Sequence, residues 1–437
     1  MLYDDVVVLV PGFFGFGRLG DFFYFADRVG ATLRGALEAR LGRAVPVLSI
    51  ASEPASSLAS RQKTLLEQLH RVDSLLEGPA RYHLVGHSAG GVDADLLTME
   101  QPLCSGKTCA GQTWEHHDSH GIRARIRSIT TIASPHHGTN LSNSSAVGFL
   151  RDPLHHIDGA AQAAHLSLHL AAMVAQRSLT LDALAGVAQS GSATRQFLLH
   201  LVLDQDLLQD LETSRMEALR AKSLRVLFPQ TVTFATCAPD FSRARAPSPA
   251  LSSQARAPQP ARQSVMIDGV PRSCDRFFAL LQALTAQDAP ASPTTVEALQ
   301  LLERSSALVI RNPSAHLEAL DAGSSDGVVN TARQILLSSG RDRRAAPPGS
   351  PEPIFGGCIV ADHADVIGHY DRRDPLSFDI QGKTRPINDG FFRSGAGFGD
   401  DQFFKLYERV AEWVARAART DEQAARRPPF LALVANH

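Results

Sequence analysis

Short apolar runs alternate with amphipathic helical segments through the first third of the chain. Residues 6–10 form an unbroken valine-rich run, as in a strand buried on both faces of a sheet. Apolar residues then recur at four-residue spacing up to Gly42, which predicts a helix that ends there (Val29, Leu33, Leu37 and Leu41). Further strands are predicted at 45–50, 82–85 and 126–133, and a second helix between residues 58 and 76. This alternation predicts an α/β fold with a mostly parallel, doubly wound sheet.

The pattern changes after residue 140. Residues 141–225 are rich in alanine and leucine and show no strand signal, whereas strand-like segments return at 231–237, 307–310 and 355–360, before a last helix near 401–417. We therefore predict one α/β core formed by 1–140 and 226–437, with 141–225 inserted as a helical cap or lid. Two stretches rich in proline and arginine, 238–263 and 341–353, are predicted to be flexible loops.

Charge and hydropathy exclude several classes of protein. The 43 Lys and Arg residues balance 45 Asp and Glu residues, so the chain has no positive excess with which to bind nucleic acid. Its apolar stretches are shorter than the roughly 20 residues of a membrane helix, so no transmembrane segment is predicted. The first ten residues have no basic region ahead of the apolar run, which favours a cytoplasmic location. Secretion stays open if an export signal has been removed.

The sharpest chemical motif is the Gly-His-Ser-Ala-Gly run at residues 86–90. It is a G-x-S-x-G sequence that follows a predicted strand and precedes helical residues. In that context the serine sits on a strained strand-to-helix turn, where its hydroxyl is exposed and the flanking glycines avoid backbone clashes. Ser88 is therefore the predicted nucleophile.

The glycine-rich loop after the first strand allows three interpretations. Gly15-x-Gly17-x-x-Gly20 matches a dinucleotide fingerprint, with Glu53 as the ribose-binding acid, although the glycines lie too far from the strand end and from Glu53. Alternatively the loop forms an oxyanion hole, in which the backbone N–H groups of Phe13 and Ala89 hold a developing negative oxygen. The loop could also be a simple turn with phenylalanines in the core.

A serine nucleophile needs an imidazole base and a carboxylate that orients it. In a fold of this kind the chain order is serine, acid, histidine, so both partners lie beyond residue 88. Asp326 and His363 each follow a strand-like segment and are the predicted acid and base. Asp321 is the reserve acid, and Asp326 could instead belong to a tight turn with Gly327. His363 is preferred over His369, which lies deeper in the following segment.

Together these segments resemble the bacterial triacylglycerol lipases and esterases of the α/β-hydrolase superfamily. The likeness rests on the loop at 12–17, on the serine motif, and on Thr-Ile-Ala-Ser-Pro-His-His-Gly-Thr at 131–139; it resumes in patches at 325–329 and 362–365. It implies Ser88 as nucleophile, Asp326 as acid, His363 as base, and Phe13 and Ala89 as oxyanion donors. It further implies a calcium ligand at Asp365. Pro11 and His369 depart from the family, which usually has histidine and glutamine at these places.

The predicted function is a serine carboxylic ester hydrolase, a lipase or esterase, that works through an acyl-enzyme. The apolar cap, rich in leucine and alanine, suggests medium- or long-chain acyl esters as substrates. No cofactor is required, and a structural calcium ion is the one metal that the resemblance suggests. A lid could touch a lipid interface through an apolar face (Leu166, Leu168, Leu170, Met173 and Val174). The alternatives are an acyltransferase on the same fold and a nucleotide-binding oxidoreductase that uses the loop at 15–20.

The five cysteines are too few and too scattered for a disulfide framework. The candidate bridges are Cys104–Cys109 and Cys237–Cys274, but free buried thiols are expected. Cys104 and Cys109 also precede a histidine-rich segment at 116–120, whose spacing matches no compact zinc motif. A solvated loop is the expected structure there.

Overall fold

The structure is a computed structural model. It describes residues 5–13, 15, 18–19, 22–103, 113–143, 206–239, 264–267, 270–273, 276–286, 292–313, 315, 319–370, 372–378, 384–388 and 394–426. Its strands are β1 (Asp5–Val10), β2 (Arg18–Leu19), β3 (Phe22–Phe23), β4 (Val47–Ser49), β5 (Arg81–His87), β6 (Ile126–Ile132), β7 (Gln230–Cys237), β8 (Ser264–Ile267), β9 (Val270–Ser273), β10 (Ile354–Val360), β11 (Arg372–Phe378) and β12 (Thr384–Asn388).

The helices alternate with the strands of the first third, as the sequence pattern predicts. They are α1 (Asp27–Leu41), α2 (Leu58–Ser74), α3 (Ala89–Leu96), α4 (Asn140–Asn143), α5 (Asp206–Asp210), α6 (Thr213–Lys222), α7 (Arg276–Ala286), α8 (Pro293–Arg304), α9 (Gly340–Ala345) and α10 (Asp400–Arg426). Gly42 takes the left-handed conformation that ends α1, which confirms the predicted boundary.

Six strands form one parallel sheet in the order β10-β7-β6-β5-β1-β4. After β1 the chain crosses to β4 on one side, and it then returns to place β5 on the other side of β1. The order therefore reverses between β1 and β5, and a crevice opens at their carboxyl ends. The predicted parallel, doubly wound sheet is confirmed, and the fold is of the α/β-hydrolase type.

The valine-rich β1 is buried on both faces because each face carries its own layer of helices. Val7 and Leu9 pack with residues of α1 and α10, while Val6, Val8 and Val10 pack with residues of α2. Burying a valine side chain stabilises the fold by about 1.5–3 kcal/mol. Two helical layers therefore explain why the strand reads as a continuous apolar run instead of alternating polar and apolar positions.

Two sequence predictions in the second half were wrong in detail. Residues 307–310 are not a strand, because Ser306–Leu308 forms a 3₁₀ turn and Ile310 makes only one bridge, to Ile359. The predicted loop at 341–353 begins with α9, since the Ser339 and Asp342 side chains form a reciprocal capping box there. A capping box requires only these two residues at three-residue spacing, and the arginine-rich composition concealed it.

The flanks of the predicted cap lie together. Asn143 and Thr213 exchange two hydrogen bonds, at 2.8 and 3.1 Å, and the Thr139 N–H donates to the Leu211 carbonyl at 3.0 Å. This is the arrangement expected where a segment is inserted into a core. The segment between them, including the five apolar residues proposed for a lid, lies outside the described residues, as do 104–112 and 240–263. The cap at 141–225 stays a prediction.

A fully buried polar chain crosses the sheet near the amino ends of its strands. The Asp5 carboxylate lies 3.0 Å from His83 Nε2, and His83 Nδ1 lies 2.7 Å from Ser128 Oγ. Burial alone would raise the pKa of Asp5, but His83, Arg81 and Arg43 outweigh it and hold that pKa below its ordinary value. These three side chains thus join β1, β5 and β6 through hydrogen bonds.

No helix among the described residues is both long and apolar enough to cross a membrane.

Candidate active site

The loops after β1 and β5 meet at the reversal of strand order, where ligands bind in open α/β sheets. Gly12 follows β1 and Ser88 follows β5. A Cβ atom added to Gly12 would lie 2.5 Å from Ser88 Cβ and 2.9 Å from the His87 carbonyl oxygen. Only glycine allows the two backbones to come this close, so the loop after β1 rests directly against the serine.

Ser88 occupies the sharp turn that its motif predicts. Its φ of 54° and ψ of −134° lie in a region that L-residues rarely adopt, and the residue serves as the N-cap of α3. A Cβ added to Gly86 would lie 2.5 Å from the Gly90 oxygen and the Gly91 nitrogen, so the tight strand-to-helix turn requires glycine there. The turn thus sets Ser88 at the carboxyl end of β5, 6% exposed.

Asp326 and His363, far apart in sequence, are neighbours in the fold. His363 Nδ1 lies 2.8 Å from Asp326 Oδ2, and the His363 N–H donates to the Asp326 carbonyl at 3.1 Å. Because the ionised carboxylate only accepts hydrogen bonds, Nδ1 carries the imidazole proton and Nε2 keeps a lone pair. Asp326 is fully buried, while His363 is 9% exposed. The pair has the geometry of an oriented base.

The carboxylate of Asp326 is held by residues that sequence reasoning missed. Thr236 Oγ1 and Gln334 Nε2 donate to Oδ2 at 2.5 and 3.2 Å, and the N–H groups of Val328 and Val329 donate to Oδ1 at 3.0 and 2.8 Å. Thr236 is an ordinary β-branched residue inside β7, and Gln334 lies in a 3₁₀ turn. Neither residue carries a sequence signal that could have revealed this role.

The acid reaches the site by a route that differs from the predicted one. The Ala238 N–H, just after β7, donates to the Ser325 carbonyl at 3.0 Å. Asp326 is therefore placed at the carboxyl end of β7 and does not follow a strand of its own. Asp321, the reserve acid, accepts hydrogen bonds from the N–H groups of Gly323 and Ser324 within a local turn. The carboxylate that lies beside His363 Nδ1 is that of Asp326.

His363 is hydrogen-bonded to His87, the residue before Ser88. His87 Nε2 lies 2.8 Å from the His363 carbonyl oxygen, and the two rings have centroids 4.7 Å apart. Among the residues that the structure describes, no hydrogen bond joins Ser88 Oγ to the His363 ring. Such contacts are often long without substrate and shorten when one binds. The structure thus places Ser88, Asp326 and His363 at the carboxyl ends of the strands, on the same side of the sheet.

A buried ion pair fixes the loop that would form the oxyanion hole. The Arg61 guanidinium donates to the Pro11 carbonyl at 2.9 Å and pairs with Asp93 of α3 at 2.6 Å. Phe13 follows in the same loop, and Ala89 is the first residue of α3, where backbone N–H groups lack helical partners. The loop after β1 is therefore anchored to α3, the helix that begins directly after Ser88.

The alternative dinucleotide interpretation lacks its structural context. A nucleotide-binding glycine loop leads directly from a strand into a helix. Here the loop leads into β2 and β3, and α1 does not begin until Asp27. Gly15 instead packs its Cα against the backbone of Ser52 and Glu53. Gly17 and Gly20 lie outside the described residues.

The comparisons with known proteins give one relative in sequence. A curated triacylglycerol lipase from Pseudomonas fragi is 27% identical over 179 residues, which make up 41% of this chain and 50% of that protein. The resemblance to bacterial triacylglycerol lipases is confirmed. The chain spans about half the length of this curated relative. No family model matches the chain.

Solved structures of lipases and an esterase are similar to this chain over most of its length. Lipase 1 from Pelosinus fermentans is 16% identical, with a TM-score of 0.47, over 94% of this chain and 99% of its own. The Staphylococcus hyicus lipase is 16% identical, with a TM-score of 0.44, over 96% and 97%. EstA from Clostridium botulinum is 17% identical, with a TM-score of 0.41, over 94% and 87%. These likenesses are too distant to bear on the chemistry of this chain.

Asp365, the predicted calcium ligand, lies with Asp362 in the loop that carries His363. Asp365 Oδ2 accepts the Asp362 N–H at 3.0 Å, and Asp362 Oδ1 accepts the N–H groups of Ala364 and Asp365. Both carboxylates thus fasten the loop around His363. The described part of the chain holds no group of three or more His, Cys, Asp or Glu side chains suited to a metal. His369, at the glutamine position, instead contacts the carbonyls of Phe23 and Tyr24. A calcium ion at Asp365 stays a prediction.

The strain at Ser88 predicts that Ser88→Gly is more stable than Ser88→Ala. Glycine adopts this conformation freely, whereas an L-residue there costs about 1–3 kcal/mol, partly offset by the extra unfolded-state entropy of glycine of about 0.5–1 kcal/mol. Both variants lack the hydroxyl, so their difference isolates the backbone. We expect thermal unfolding to show Ser88→Gly melting roughly 1–2 °C higher. A lower melting temperature for Ser88→Gly would contradict a strained turn.

The lowered pKa of His137, which lies in the segment after β6, predicts that the protein loses stability in mild acid. Burial, with Arg220 and Arg333 nearby, lowers the pKa of His137 from 6.5 to about 3. Between these values the unfolded chain binds a proton that the folded chain does not, so the free energy of unfolding falls as pH falls, by up to about 1.4 kcal/mol per pH unit. His137→Asn should flatten this slope in urea unfolding between pH 7 and 4.5.

The matched control is His116→Asn, because His116 is exposed. It should leave the pH slope unchanged. Burial raises the pKa of Asp362 to about 7, which contributes a slope of the opposite sign, but this group is the same in all three proteins. An unchanged slope in His137→Asn would show that His137 is protonated in the folded protein.

Proposed function

We propose that the protein is a serine carboxylic ester hydrolase, a lipase or esterase. The observation that carries the proposal is the convergence of Ser88, on a strained turn at the reversal of strand order, with a His363 that is oriented by a buried Asp326. The relative's description as a triacylglycerol lipase supports the same chemistry. The close contact between Gly12 and Ser88 places the neighbouring residue Phe13, a proposed oxyanion donor, in the loop beside the serine.

In this proposal Ser88 Oγ attacks the acyl carbonyl carbon while His363 Nε2 accepts the hydroxyl proton. Asp326 keeps the Nδ1–H tautomer and stabilises the imidazolium that forms. The N–H groups of Phe13 and Ala89 hold the tetrahedral oxyanion, and donors of this kind supply several kcal/mol. The proton then passes from His363 to the leaving alcohol, and an acyl group remains on Ser88. Water, activated by His363, releases the acid and restores the serine.

We propose uncharged acyl esters of medium or long chain length as substrates. The balanced net charge of −2 offers no field that would attract a strongly charged substrate. The inserted segment at 141–225 would supply the cap over the acyl chain and any contact with a lipid surface. An acyltransferase would use the same residues and differ only in excluding water from the acyl-enzyme, so product analysis with an added alcohol separates the two.

The central prediction is that the protein hydrolyses p-nitrophenyl esters and that Ser88→Ala does not. We expect rates to rise from the acetate to the octanoate or longer esters, and the alanine variant to lose about 10³-fold or more of kcat. A fluorophosphonate probe should add its mass to the peptide that contains Ser88. A wild-type protein that hydrolyses no ester, or an alanine variant at full rate, would refute the proposal.

A second prediction decides between the two candidate acids. Asp326→Asn should lose about 10²–10⁴-fold of kcat, because the amide can no longer fix the histidine tautomer or stabilise its charge. Asp321→Asn, a matched change in a local turn, should stay within about twofold, since the Asp321 carboxylate accepts hydrogen bonds from the backbone of its own turn. Both are measured with the best ester of the series. The reverse ranking would assign the acid to Asp321.

A further inference from the structure

Two buried side chains behind the nucleophile form a hydrogen-bonded chain that the proposed reaction does not explain. The Tyr24 hydroxyl lies 2.8 Å from His87 Nδ1, and His87 Nε2 lies 2.8 Å from the carbonyl oxygen of His363. Both side chains are buried, Tyr24 with 6% and His87 with 2% of its surface exposed. This hydrogen-bonded chain thus runs from Tyr24, just before α1, through His87, the residue before Ser88, to the backbone of His363, the candidate base.

Chemistry fixes the direction of each bond. A backbone carbonyl can only accept, so His87 Nε2 carries a proton and donates it to His363 O. Burial and the nearby His363 lower the pKa of His87 well below 6.5, which keeps the ring neutral. A neutral imidazole has one proton, so Nδ1 holds a lone pair and accepts from the Tyr24 hydroxyl. The tautomer of His87 is therefore defined.

The other end of the chain reaches the oxyanion loop. The Gly12 N–H hydrogen-bonds the Tyr24 hydroxyl oxygen, and an added Cβ on Gly12 would lie 2.6 Å from that oxygen. Gly12 immediately precedes Phe13, whose N–H is a proposed oxyanion donor. The hydrogen bonds all point in the same donor-to-acceptor direction. Gly12 N–H donates to the Tyr24 hydroxyl, which donates to His87 Nδ1, and His87 Nε2–H donates to His363 O.

We propose that Tyr24 and His87 are positioning residues that set the distance between the oxyanion loop and the base. Each donor along this series has an acceptor. The loop after β10 therefore bonds to the His87 imidazole directly, and the loop after β1 bonds to it through the Tyr24 hydroxyl. A shift of either loop would leave a buried donor or acceptor without its partner, which is costly in a dry interior. The inference rests on the proposed ester hydrolysis, because positioning has a rate consequence only if both loops serve one reaction.

The test is Tyr24→Phe, with Tyr82→Phe as the matched control. Tyr82 is also buried, and its hydroxyl donates to Asp73 at 2.7 Å, but it packs in the core on the α2 side of the sheet. Both variants lose one hydroxyl and one hydrogen bond, so both should lower the melting temperature. Only Tyr24→Phe should lower kcat, by about tenfold, with KM within about twofold, because misplacement of reacting groups acts on the transition state.

His87 variants test the other half of the chain. His87→Gln places an amide N–H near the position of Nε2 and can still donate to His363 O, whereas His87→Phe cannot. The glutamine variant should therefore retain about tenfold more kcat than the phenylalanine variant. Equal losses in the two variants, or equal kcat in Tyr24→Phe and Tyr82→Phe, would overturn the positioning role.

A spectroscopic measurement keeps this inference separate from the proposed function. In ¹⁵N-labelled wild type, the His87 signals, assigned by their loss in His87→Gln, should show a protonated Nε2 and an unprotonated Nδ1 at neutral pH. A protonated Nδ1, or an unprotonated Nε2, would overturn the hydrogen-bonded chain even if the protein hydrolyses esters. Absence of ester hydrolysis in the wild type would refute the proposed function, while the tautomer would still decide whether the chain exists.

Discussion

The contact between two backbones, one after β1 and one after β5, is the constraint on which the site depends. Gly12 lies against Ser88 and His87, and the turn at 86–90 is too tight for a side chain at Gly86 or Gly90. Parallel pairing of β1 with β5, from Asp5 with Arg81 to Val10 with Gly86, fixes the register that brings these loops level. The strained Ser88 backbone is tolerated because the register and the helix after it overdetermine its position.

The buried Arg61–Asp93 pair then turns a close contact into a fixed one. Burial raises the pKa of Asp93 even with Arg61 beside it, which shows how much desolvation the pair must offset. Arg61 uses its remaining donors on the carbonyls of Pro11 and Glu53. Buried ion pairs of this kind contribute little net stability, but they discriminate strongly among arrangements of the groups around them. Here the arrangement selected is the one that places the β1 loop beside α3.

The sequence predicted the fold and the local motifs well, because these depend on patterns among neighbouring residues. The valine-rich β1, the stop of α1 at Gly42 and the turn around Ser88 each follow from a few adjacent side chains. It also placed Asp326 and His363 in loops that the structure brings together. It could not reveal Thr236 and Gln334, or the chain through Tyr24 and His87, because common residue types acquire these contacts only through long-range packing. The false strand at 307–310 fails for the same reason, since pairing needs a partner edge and Ile310 finds it at one position.

The Asp5–His83–Ser128 chain shows how little a geometric arrangement means without its location. It contains the same three residue types as the candidate site, linked by full hydrogen bonds across three strands, yet it lies toward the amino ends of those strands, and Ser128 is 2% exposed. Its serine lies inside the strand β6, and no sharp strand-to-helix turn presents it as the turn at Ser88 does. A search for catalytic sets by residue type and distance would return two answers from this one sheet. What separates an enzyme's centre from a structural brace is the end of the strand at which the residues are placed.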